Sequence, residues 1–68
     1  MNENQAKNMV YERMLDLQRS IVLVKETIQI AEERDDFITK SRSETKLKEL
    51  VSLLELNEAL YYETGVLQ

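Results

Sequence analysis

The stretch VYERMLDLQRSIVLVKETIQIA, residues 10–31, decides the fold. Val10, Met14, Leu17, Ile21, Val24, Ile28 and Ala31 recur in it at alternating steps of four and three. On a helix that rhythm keeps one apolar stripe turned toward a partner helix. It implies helix packing before it implies any chemistry.

Reading forward, the stripe loses its phase. Its continuation falls on Asp35, Ile38, Arg42, Thr45, Glu49 and Ser52, and one apolar residue among them cannot hold a coiled coil. A new apolar pattern starts at Leu47 and runs through Leu50 and Leu54. The chain is therefore expected to be all-α: an antiparallel hairpin, not one long helix. The expected spans are residues 3–34 and 42–64, with a turn over 35–41 and one domain over 1–68. Ser41 with Glu44 three residues on reads as a capping box for the second helix. Gly65 reads as its C′ residue, and Ser41 and Ser43 as cap or turn residues. On these spans the first helix is longer by about eight residues, or roughly 12 Å. Val66-Leu67-Gln68 is then free to fold back over Met9 or Tyr11.

Charge order supports the hairpin. Glu32, Glu33, Asp35 and Asp36 end the first half, and Lys40, Arg42, Lys46 and Lys48 open the second. A turn between them brings the two sets together.

The 68 residues contain no cysteine, histidine or proline and a single glycine. A chain this short is marginal alone, and disulfides and a cysteine–histidine zinc site are closed to it. Self-association is the remaining device. Both helices carry more apolar surface than one partner covers. Tyr11, Leu15 and Val22 form a second strip on the first. On the second, Leu47, Leu50, Val51, Leu54 and Tyr61 lie on one side, while Leu53, Leu56, Leu60 and Leu67 lie nearly opposite. Leu47, Leu50 and Leu54 belong to the packing seam; the first helix's second strip and the leucines opposite, with Tyr61 and Tyr62, are the expected partner or dimer face, and the economical assembly is a homodimeric four-helix bundle. Asn57 falls in register with Leu50, Leu54 and Tyr61. Buried, it would fix register. With a small rotation of the helix, it would be exposed.

Composition sorts the function classes. The net charge is −4. Lys7, Arg13, Arg19 and Lys25 are spread around the helix instead of stacked, which disfavours nucleic acid. No apolar run is long enough to cross a bilayer, and the polar start carries no leader pattern, so a cytoplasmic location is expected. The carboxylate pairs Glu12/Asp16, Glu32/Asp36 and Glu55/Glu58 read as solvated surface, because a di-iron bundle needs Glu-x-x-His. No serine has a base at hand. The expectation is a non-enzymatic interaction module, without cofactor or metal, acting as a regulator, inhibitor or adaptor. The alternatives are a structural or chaperone-like subunit folded only with a hetero-partner and, last, a nucleic-acid-associated regulator. The expected architecture resembles that of the Rop-like dimers and of a family of two-helix phosphatases. The phosphatases' Ser-Gln-Glu-Leu-Asp signature has no counterpart in Ser-Glu-Thr-Lys-Leu-Lys-Glu-Leu at 43–50. Architecture alone transfers no function.

Overall fold

The computed structural model describes residues 3–66, with side chains described over 4–63. It consists of two helices packed against each other, α1 (Glu3–Glu33) and α2 (Phe37–Val66). They form an antiparallel hairpin measuring 50 × 14 × 14 Å. Lys40 reaches Glu32 at the turn, and Tyr61 meets Tyr11 at the open end. The chain is all-α, as the loss of phase requires.

The turn is tighter than the sequence reading places it. Asp35 takes a left-handed conformation, φ 55°. Its amide donates to the Glu32 carbonyl at 3.2 Å, and the Asp36 amide donates to the Ala31 carbonyl at 2.9 Å. This pair of bonds is a Schellman closure, with aspartate at the position usually given to glycine. Aspartate tolerates that region better than most residues. Asp36 then caps α2. Its Oδ1 accepts from the Thr39 amide at 3.1 Å, and its Oδ2 accepts from the Thr39 hydroxyl at 2.7 Å. Asp36 thus finishes one helix and starts the next, and no loop is needed beyond Arg34, Asp35 and Asp36.

Several expectations are corrected here. α2 starts at Phe37, so Ser41 and Ser43 lie inside it and no capping box forms there. The Ser41 carbonyl instead accepts from the Thr45 hydroxyl. Gly65 also lies within α2, which runs on to Val66. The helices are nearly equal, 31 and 30 residues, so neither overhangs the other by two turns. The physical reason is the Asp36 cap, which takes up the first free amides of α2 five residues before Ser41.

The seam of α1 holds throughout. Val10, Met14, Leu17, Ile21, Val24, Ile28 and Ala31 are all buried or half-buried. The matching row on α2 is Ser43, Leu47, Leu50, Leu54, Asn57 and Tyr61, again at steps of four and three. Val51 stands just outside it, exposed. The contacts at the two ends set the register. Ile21 lies at the level of Leu50, and Met14 at the level of Asn57. The core between the helices is thin. Among the described residues only Ile21 (8% exposed), Ala31 (3%) and Asn57 (6%) are buried, and no large side chain is fully so.

Candidate interaction faces

The seam fixes where every other side chain can point. In heptad terms Met14, Ile21, Ile28, Leu47, Leu54 and Tyr61 are a positions, and Leu17, Val24, Leu50 and Asn57 are d positions. In an antiparallel pair the e and b positions of both helices line one flank, and the g and c positions line the other. The expected partner face therefore divides. Tyr11, Leu15 and Val22 share the e/b flank with Val51 and Tyr62. Leu53, Leu56 and Leu60 lie on the g/c flank, about 100° from the seam and not opposite it. Leu67 lies outside the described residues.

The e/b flank is built around tyrosine. The Tyr11 and Tyr61 rings are 6.2 Å apart and tilted by 41°, and Tyr61 and Tyr62 meet edge to face at 5.7 Å. The Lys7 ammonium sits 4.7 Å from the Tyr61 ring centroid, a cation–π geometry worth roughly 0.5–1 kcal/mol where exposed. Tyr61 closes the open end of the seam, while Tyr11 and Tyr62 keep much of their surface in solvent.

The g/c flank is aliphatic. Leu53 and Leu56 line a shallow groove of about 490 Å³ on α2 with Lys48, Glu49 and Ser52. Leu60 continues this strip. From α1, Met9, Leu23 and Ile30 join the same flank at c positions, multiples of seven residues apart. All six are exposed, up to 62% for Leu56 and 63% for Leu23. The sequence reading counts Leu23 in the apolar surplus around the seam but takes no partner-face residue from Met9 or Ile30. The signal was present in that seven-residue repeat, whose fourth member is the charged Asp16.

Asn57 lies in the seam, on the side that borders this flank. Its side-chain amide donates to the Leu53 carbonyl at 2.8 Å, and its buried Oδ1 accepts no hydrogen bond. Helix-internal back-bonding of this kind satisfies the donor and leaves the acceptor open. The residue is thus a buried polar group in the seam, the first of the two placements its register allowed.

Charge is concentrated at the turn. Lys40 pairs with Glu32 at 3.4 Å, linking the acidic end of α1 to the basic start of α2. The pair lines a cleft of about 300 Å³ with Ala31, Asp35, Asp36 and Phe37. The two hydrogen bonds from Thr39, the side-chain one first, lower the Asp36 pKa below its ordinary value. Next to this polar cluster Phe37 and Ile38, in the first turn of α2, are 74% and 68% exposed.

Among the described residues no group of three or more acidic side chains is placed to hold a metal ion. Among the described residues no helix is long and apolar enough to cross a membrane. The shape is open for the mass. The chain exposes 5446 Å², whereas a compact monomer of 8.0 kDa exposes about 4,450 Å². No protein-family model matches the chain, and no curated protein or solved structure matches it.

Proposed function

We propose that this chain is a non-enzymatic interaction module that works by helix packing. In this reading it self-associates as a homodimer, two hairpins forming a four-helix bundle. Its remaining apolar surface engages another protein, in the manner of a regulator, inhibitor or adaptor. The observation that carries the reading is the mismatch between core and surface. Among the described residues the buried apolar core amounts to Ile21 and Ala31, while large apolar side chains stand exposed along both flanks. Exposed patches of that extent mark interaction sites.

The test is the mass in solution, by light scattering over a range of concentrations. The expected result is twice the chain mass of 8.0 kDa, with full helicity by circular dichroism. A folded monomer at every concentration would overturn the homodimer. A chain that is disordered alone and helical only with another protein would replace it with a hetero-complex subunit.

A further inference from the structure

We infer that a second copy of the chain seats on the aliphatic g/c flank, over Leu53 and Leu56 of α2 and Leu23 of α1, leaving the tyrosine flank outside the dimer. The inference rests on the proposed self-association and says which face carries it.

Area is the first argument. The hairpin exposes 5446 Å², about 1,000 Å² more than a compact monomer of its mass. A stable interface of standard size takes about 800 Å² from each partner. The surplus is therefore what one self-complementary face needs.

Side-chain chemistry chooses between the flanks. An isologous contact sets a strip against its own copy, and permanent homodimer interfaces are more apolar than ordinary surface. The g/c flank offers Leu53 and Leu56 on α2 and, roughly one and three helix turns nearer the hairpin turn, Leu23 and Ile30 on α1, and these four side chains carry no polar atom. On the e/b flank Tyr11 already packs on Tyr61, and Tyr61 on Tyr62, within one chain. Charged side chains break both flanks, Lys25, Glu44 and Glu58 on this one and Asp16, Lys46 and Glu49 on the other, so the choice rests on the apolar residues. A polar-tipped aromatic flank suits a face that stays wet or meets a different protein.

The chain has no cysteine, so single thiols report cleanly. Leu56→Cys and Val22→Cys, on opposite flanks, are alkylated with iodoacetamide at rising protein concentration, and each sample is weighed by light scattering. The expected result is a Leu56→Cys thiol that reacts on the order of tenfold more slowly once dimer predominates, with the Val22→Cys rate unchanged. Leu56→Glu should give a helical monomer. Protection of Val22→Cys alone, or of both thiols, would overturn the choice of flank while leaving self-association standing. A wild-type chain that stays monomeric and helical throughout would remove the dimer itself, a separate outcome. A Leu56→Glu chain that remains dimeric also overturns the inference.

Discussion

Asp36 accepts two hydrogen bonds from one residue, Thr39, through its amide at 3.1 Å and its hydroxyl at 2.7 Å. One side chain therefore sets both the start of α2 and the direction in which it leaves the turn. Because these bonds favour the ionised carboxylate, the Asp36 pKa is lowered in the folded chain. A lowered folded pKa gives stability that is present above the unfolded value and lost as pH falls through the folded one. We expect the hairpin to weaken below the ordinary aspartate value of 3.8. Asn caps about as well as Asp, so Asp36→Asn should keep most of the thermal midpoint at neutral pH and remove this residue's part of the acid dependence. Asp36→Ala should lower the midpoint. Thermal melts from pH 2 to 7 check all three, and an Asp36→Asn chain with an unchanged acid profile would reject the assignment.

Asp35 holds the left-handed position on its own. A β-branched residue there meets the full steric cost, so Asp35→Val should destabilise the hairpin by about 1–2 kcal/mol. Asp35→Gly should be neutral or stabilising, since glycine takes that conformation without a Cβ clash. Urea titrations of the two variants measure the difference, and equal midpoints would contradict the turn geometry.

Asn57 gives the third prediction. Replacing it with leucine removes an open buried acceptor, and such groups cost about 1–3 kcal/mol. Asn57→Leu should melt higher than wild type. It should also broaden the distribution of assembly states, because a polar seam residue restricts register and oligomer number. Sedimentation velocity reads the second effect. A less stable variant would mean that the amide bond to Leu53 outweighs the open oxygen.

Position along one turn of α1 gives the fourth. Ile21 is 8% exposed and Leu23 is 63% exposed. An aspartate at 21 is left as an unpaired charge in the seam, and a hairpin with so small a core cannot absorb it. Ile21→Asp should lose most helical signal in circular dichroism. Leu23→Asp should keep the hairpin and fail only in assembly. Equal helicity in both variants would misplace the seam.

The hairpin was legible because a stripe of seven residues kept time and then stopped. Every residue of that stripe is buried or half-buried. Its counterpart on α2 was legible only through Leu47, Leu50 and Leu54, because Ser43 and Asn57 occupy two of the six positions and carry no apolar signal. The turn was misplaced for a related reason. Glycine and proline usually mark a turn, and here two aspartates do both jobs, one by its backbone and one by its carboxylate. The cap Asp36-x-x-Thr39 was present, but Phe37 and Ile38 beside it look like core and stand in solvent. The exposed strips were legible as apolar positions on each helix. Their division between two flanks depends on the antiparallel register, which single-helix periodicity does not contain.

The step across the turn also governs what the chain cannot become. The d positions of the seam pass from Ala31 on α1 to Ser43 on α2, twelve residues later. Along an unbroken helix that distance is about three and a third turns. A straightened chain would thus carry its two stripes on faces of one rod about a third of a turn apart. Two such rods laid side by side could bury one stripe of each and never both. Exchange of whole helices through a straightened hinge, a common hazard of short hinges, is disfavoured by this offset. A turn without glycine or proline is thereby protected by phase instead of by stiffness.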